Sequence, residues 1–193
     1  AAFQYISDHQ GIDQDFTPNS TYFAKQDMKQ KMFSEEFNIK STTNTRYKWL
    51  FGAFGFWQGI DNTVPMDYLS KGYSTWKRYD IPTYGAALYH QSTFDDLLAK
   101  GLSFTLGLRY DYEKASNDYL YHKVTNDKRE LVDQFKSNLS FSQLTPKFTI
   151  EYIFPSSGLI YASATKGFKT GGFNTSFEEE EDRTFKPETS WNY

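Results

Sequence analysis

The stretch Gly101-Leu102-Ser103-Phe104-Thr105-Leu106-Gly107-Leu108-Arg109-Tyr110-Asp111-Tyr112-Glu113 decides the fold class. From Leu102 to Glu113, six apolar side chains alternate strictly with six small or polar ones. That is a two-residue period, the signature of a strand with one apolar face. A helix would scatter the leucines and tyrosines around its axis. At about 3.3 Å per residue the segment is about 40 Å long, whereas strands of soluble domains are typically about 5–6 residues.

The same reading extends outward. Phe33, Phe37 and Ile39 alternate with Ser34, Glu36, Asn38 and Lys40. Tyr47, Trp49, Phe51 and Ala53 alternate with Arg46, Lys48, Leu50 and Gly52, until Phe54 and Phe56 blur the parity. Leu144, Pro146, Phe148, Ile150 and Tyr152 form another row. Leu139 and Phe141 have the opposite parity, which predicts a bulge near Ser142 or Gln143. Ile160, Ala162 and Ala164 give a weaker strand, and residues 1–7 and 83–93 are also read as strands. One helical turn is expected at 95–100 and a solvated acidic loop at Glu178 to Asp182.

The connections expected between these strands are 8–28, 42–44, 59–82, 95–100, 115–137, 155–157 and 172–186, alternately long and short. The short ones hold turn residues (Ser41-Thr42-Thr43-Asn44 and Pro155-Ser156-Ser157-Gly158), and the long ones are polar and charged. Long structureless loops are uncommon in compact soluble domains. They are regular in antiparallel barrels of the outer membrane, where short turns face the periplasm and long loops face outside. Lipid offers no hydrogen-bond partners, so a spanning sheet must close on itself.

Composition agrees. Aromatic residues make up 19% of the 193 residues, far too many for a disordered chain. There is no apolar run long enough for a transmembrane helix. The net charge of -3 gives no footprint for nucleic acid, and zero Cys excludes thiolate metal sites, disulfide scaffolds and Cys nucleophiles. The expected fold is all-β: an antiparallel transmembrane β-barrel segment of about eight strands, with short periplasmic turns and long extracellular loops. Neither end resembles a natural terminus, so the expectation is an internal segment of a longer chain.

Several runs then resemble one family. They are Leu144-Thr145-Pro146-Lys147-Phe148 through Tyr152; Tyr161-Ala162-Ser163 with Lys166-Gly167-Phe168-Lys169-Thr170-Gly171-Gly172-Phe173-Asn174; and Lys186-Pro187-Glu188-Thr189. Gly107-Leu108-Arg109-Tyr110-Asp111, and Glu35-Glu36-Phe37 with Trp49-Leu50-Phe51-Gly52, precede them in the same order. Together they resemble the barrel of TonB-dependent outer-membrane receptors. The resemblance implies part of a larger barrel of about 22 strands, with residues 1–193 a partial barrel domain and the plug domain and remaining strands absent. It implies localisation in the Gram-negative outer membrane and contact with outer-membrane lipid. It implies a TonB complex acting through the absent plug, and active uptake of a scarce large solute: siderophore-iron, haem, cobalamin or a glycan.

Candidate ligand contacts are aromatics of the long connections, Tyr68, Tyr73, Trp76, Tyr79, Tyr119 and Tyr121, since Tyr and Trp give large contact area at low entropic cost. Candidate lumen- or plug-facing residues are Arg109, Asp111, Glu113, Lys147 and Glu151. No enzyme chemistry, cofactor or metal is expected. His9, His90 and His122 lack ligand spacing, and His90 beside Ser92 is a chance neighbour. The glycines match no nucleotide fingerprint. The acidic run could bridge lipopolysaccharide phosphates through a divalent cation. Two rivals are a passive porin-like channel and a soluble all-β carbohydrate-binding module.

Overall fold

The computed structural model describes residues 1–13, 18, 21–42, 45–175, 177 and 179–193. Seven strands follow in turn: β1 (Ala2–Asp13), β2 (Tyr22–Lys40), β3 (Tyr47–Tyr68), β4 (Tyr73–Asp95), β5 (Leu102–Thr125), β6 (Lys128–Phe154) and β7 (Gly158–Lys169). A two-stranded ribbon of β8 (Gly172–Phe173) and β9 (Thr184–Phe185) precedes β10 (Glu188–Asn192). The main sheet has eight strands in the order β1-β2-β3-β4-β5-β6-β7-β10. The β1–β2, β6–β7 and β7–β10 pairs are antiparallel: Ala2 pairs with Ser34 and Asp13 with Phe23, Lys147 with Thr165, and Glu188 with Lys169. No helix among the described residues is long and apolar enough to cross a membrane, which says nothing of crossing with strands.

Two of the expected long connections are not loops. Residues 59–82 are the continuation of β3 and β4, joined by the short 3-10 turn Leu69–Lys71. Residues 115–137 are the continuation of β5 and β6, joined through Asn126 and Asp127 alone. Both of those residues are left-handed (φ 48° and 60°), the backbone of a two-residue type I′ hairpin turn. The connection read at 8–28 shrinks to the residues between Asp13 and Tyr22, of which 14–17 and 19–20 lie outside the described residues. Thr43 and Asn44 of the second turn, and Glu178 of the acidic run, also lie outside them.

The helical turn expected at 95–100 is instead a bend fixed by left-handed Asp96 and Gly101. The Gly101 amide donates to the Asp96 carboxylate (2.6 Å), and the Ile153 amide donates to the Gly101 carbonyl (2.8 Å). A Cβ at Gly101 would fall 2.4 Å from the Ile153 carbonyl oxygen, so φ and space both require glycine here. β6 runs unbroken through Ser142 and Gln143. Leu139 and Phe141 sit on its sheltered face, and Leu144 points to the exposed one.

The chain forms two compact units. One comprises residues 1–34, 56–84 and 114–139. Its core is a transverse row on one sheet face, where fully buried Tyr79 and Tyr119 touch (ring centroids 5.0 Å) and Phe135 packs on Tyr119 at 4.7 Å. The other comprises residues 35–55, 85–113 and 140–193. There one face is lined by exposed apolar side chains: Phe37, Phe51, Leu88, Leu106, Leu108, Tyr110, Tyr112, Leu144 and Phe148. The alternate positions of β5, Gly107, Arg109, Asp111 and Glu113, are half-buried on the opposite face. An extended apolar face exposed in this way requires a lipid environment.

Candidate functional site

In the lipid-exposing unit, a polar network occupies the sheltered face. Arg109 grips Asp111 through Nε (2.9 and 3.0 Å to the two carboxylate oxygens) and Nη2 (2.7 Å). Its guanidinium lies over the rings of Phe54 (5.7 Å) and Tyr89 (5.4 Å). The Tyr89 hydroxyl reaches the Glu36 carboxylate and the Asn38 side-chain oxygen (2.7 Å). This geometry depends on Gly52: a Cβ there would sit 2.1–2.4 Å from three atoms of the Tyr89 phenol. The ring lies in the gap the glycine leaves, so β3, β4 and β5 are tied by one aromatic side chain.

A cleft of about 300 Å³ beside Arg109 is lined by Tyr89, Gln91, Thr145, Lys147 and Thr165. The structure therefore brings together three of the residues singled out in the sequence, Arg109, Asp111 and Lys147. Glu113 sits instead beside Thr170, and Glu151 lies opposite Tyr161 on β7. Sequence reading missed Tyr89 and Gly52. The signal was present: Tyr89 has the opposite parity to Tyr84 and Leu88, and Gly52 is a bare position on the facing strand.

The other unit carries the aromatic cluster. Tyr68 ends β3 and Tyr73 begins β4, so both flank the hairpin turn and stack at 4.7 Å. Tyr22, at the start of β2, stacks on Tyr68 at 5.8 Å. Lysines cover the rings: Lys71 over Tyr68 (5.8 Å), Lys123 over Tyr73 (4.4 Å) and Lys77 over Tyr121 (5.2 Å). A concavity of about 310 Å³ opens here, lined by Asp67, Tyr68, Tyr73, Ser74, Val124 and Asn126 among others. Trp76 lies in β4, beside the His122 ring (5.7 Å) and beneath the Arg129 guanidinium (4.3 Å).

Burial pushes the Tyr68 hydroxyl up, helped by the neighbouring hydroxyls of Tyr73, Tyr121 and Tyr22. Burial pushes Lys77 down and Tyr79 up to about 12. Tyr119 was expected in a loop as a ligand contact. It is 1% exposed within β5, sandwiched between Tyr79 and Phe135, and offers no ring face to a ligand. Burial raises its pKa as well. Tyr79 is equally enclosed. His90 does hydrogen-bond Ser92 (2.9 Å), and Ser92 meets the Tyr47 hydroxyl (3.1 Å) on the exposed face. No group of three or more metal-ligating side chains occurs among the described residues.

Long antiparallel strands, an apolar exposed face, a polar sheltered face and tight turns define a segment of outer-membrane β-barrel wall. Over residues 1–193 the chain matches the family model for the TonB dependent receptor-like β-barrel, and it belongs to that family. Among solved structures it is similar to the ferric yersiniabactin uptake receptor FyuA from Yersinia pestis, with 19% identity and a TM-score of 0.68. That likeness covers 98% of this chain and 29% of that one, so the chain spans under a third of that receptor's length. A weaker similarity is to the RagAB peptide transporter (6% identity, TM-score 0.40, 76% of this chain and 20% of that one), too low to carry an argument. The protein is a constituent of the Gram-negative outer membrane.

Proposed function

We propose that the protein to which this chain belongs is a receptor that takes up a scarce, large solute in a TonB-driven step. The plug and the remaining strands belong to the rest of that protein. In this reading the lipid-exposing unit is membrane-crossing wall, and the hairpins ending at Tyr68–Tyr73 and Asn126–Asp127 face outside. Arg109, Asp111 and Lys147, with Glu113 and Glu151, present fixed polar groups to a plug.

The observation that carries the receptor role is the cation-covered aromatic cluster at the hairpin ends. Tyr22, Tyr68 and Tyr73 form a continuous stack beside an open concavity. Tyrosines stacked in this way are rigid, so contact costs little entropy. Lys71 and Lys123 add attraction for an anionic or electron-rich solute. A ferric chelate, the cargo class of the Yersinia receptor, fits that description; haem, cobalamin and glycans are the alternatives.

The test is binding of a panel of ferric siderophores, haem, cobalamin and oligosaccharides to the full-length receptor, with Tyr68→Ala and Tyr73→Ala variants. Loss of one hot-spot ring is expected to weaken the cognate solute by about 2 kcal/mol, roughly thirtyfold. Unchanged affinity for every solute in both variants would refute the site.

A further inference from the structure

We infer that the lipid-facing patch centred on His90 joins two copies of the receptor across a two-fold axis. The Asp95 amide donates to the Arg46 carbonyl (2.7 Å), and the Thr93 and Thr105 hydroxyls meet at 3.0 Å, so β4 is held in register between β3 and β5. Alternation then puts His90 in one outward row with Ala86, Leu88 and Ser92, with Phe51 beside it on β3 and Leu108 beside it on β5. His90 and Ala86 are exposed, and so are the apolar side chains around them, Phe51, Leu88, Leu106 and Leu108. An ionisable ring therefore stands on the face that meets lipid, where such a group is costly and marks function.

The ring is not isolated. His90 Nε2 meets the Ser92 hydroxyl at 2.9 Å, and that hydroxyl meets the Tyr47 hydroxyl at 3.1 Å. The three groups form a relay of two hydrogen bonds whose direction is reversible. With His90 Nε2 donating, Nδ1 is left as an acceptor; with Nε2 accepting, Nδ1 carries the proton and is left as a donor. Among the described residues Nδ1 has no partner. Lipid tails supply neither a donor nor an acceptor, so the relay ends on an unmet polar atom.

Depth and self-complementarity name the occupant. The apolar row of β5 from Leu102 to Tyr112 is about 33 Å long, and Leu108, with His90 beside it, stands about 13 Å of strand from the nearer end. A headgroup phosphate does not reach that level. A second copy does, and it needs no new chemistry: with its relay run the opposite way, its own His90 offers the donor that this acceptor lacks. Contact across a two-fold axis requires a surface that fits itself in this manner. Within a membrane, association rests on close packing and on interchain hydrogen bonds, histidine's among them. The small Ala86 lets two walls approach, and Phe51, Leu88, Leu106 and Leu108 pack around the central pair. The contact rests on the outer-membrane placement and is independent of the imported solute.

The test uses the full-length receptor in a cysteine-free background, folded as judged by its heat-modifiable electrophoretic mobility. Leu108→Cys and, as a control elsewhere on the lipid-facing wall, Ile160→Cys are oxidised in isolated outer membranes, and the mass of the purified wild type is read by native mass spectrometry. Leu108→Cys is expected to give a disulfide-linked dimer and Ile160→Cys none, with two copies in the wild-type mass. Adding His90→Leu, which suits lipid and leaves the fold intact, is expected to weaken dimerisation about tenfold. His90→Gln, which keeps a donor and an acceptor, is expected to retain it. A wild-type mass of one copy, equal trapping at Ile160→Cys, or trapping undiminished by His90→Leu overturns the assignment. So does a cross-link to a different protein, or a phospholipid held by a wild-type monomer and lost from His90→Leu.

Discussion

Substituting Gly52 with alanine tests how the sheltered face is held together. The new methyl would lie 2.1–2.4 Å from Cζ, Cε2 and the hydroxyl of Tyr89, so the phenol must swing out of its gap. Doing so breaks the hydrogen bond to the Glu36 carboxylate, a charge-assisted bond of about 1.5–3 kcal/mol. It also lifts the ring from the Arg109 guanidinium, about 0.5–1 kcal/mol at an open site. Solvent access places both near their lower limits, about 2 kcal/mol together. Alanine in a strand recovers about 0.5–1 kcal/mol of backbone entropy relative to glycine. The net expected destabilisation is about 1–1.5 kcal/mol, read from denaturant melts of the full-length receptor in detergent. The decisive comparison is Gly52→Ala in a Tyr89→Ala background. With the ring gone the methyl meets open space, and the substitution should become neutral or stabilising by about 0.5 kcal/mol. The same cost in both backgrounds would refute the glycine–tyrosine joint.

Alkaline pH should loosen the aromatic unit. The hydroxyls of Tyr68, Tyr79 and Tyr119 are raised above the ordinary 10.0, Tyr79 to about 12, so the folded state binds protons the unfolded state has released. Stability is therefore complete below pH 10 and falls as pH rises towards 12, measurable as tyrosinate absorbance accompanied by loss of near-ultraviolet dichroism. Gly101→Ala should cost about 2–4 kcal/mol, because it combines a left-handed φ of 85° with a methyl 2.4 Å from the Ile153 carbonyl oxygen; a melting point within 2 °C of wild type would contradict this. Asp127→Gly should stabilise the β5–β6 hairpin by about 0.5–1 kcal/mol, since Asn-Gly fits the type I′ turn better than Asn-Asp, with hydrogen exchange of the adjoining amides as the readout. Arg109→Ala should destabilise more than Asp111→Ala, because the arginine side chain also packs on Phe54 and Tyr89; equal melting shifts would argue against the stack.

The membrane-facing row of β5 was legible because alternation is local: Leu106, Leu108, Tyr110 and Tyr112 are exposed and Arg109 and Asp111 are sheltered, as a two-residue period requires. Periodicity failed beyond Glu113. Lys114-Ala115-Ser116-Asn117-Asp118 offers no clean apolar face, so a strand there looks like a loop. What keeps it extended is pairing along the hairpin, continued to the left-handed Asn126 and Asp127. The Asn-Asp pair was a turn signal in the sequence, but it says nothing about how far the strands reach either side of it.

The same limit governs the sites. Sequence by itself determined which residues share a face of one strand, because the strand's pleat is a local property. It could not determine which rings meet across strands, because that depends on register. Tyr68 and Tyr73 flank the turn and so were placed near each other by the chain. Tyr22 joins them only through β2–β3 pairing, and Tyr119, chosen as a ligand contact, becomes core because register sets it between Tyr79 and Phe135. Likewise the lysines of β2 were visible as charges. Only the β1–β2 register sets His9 against Asp27 and Tyr5 beside Lys31 on one face.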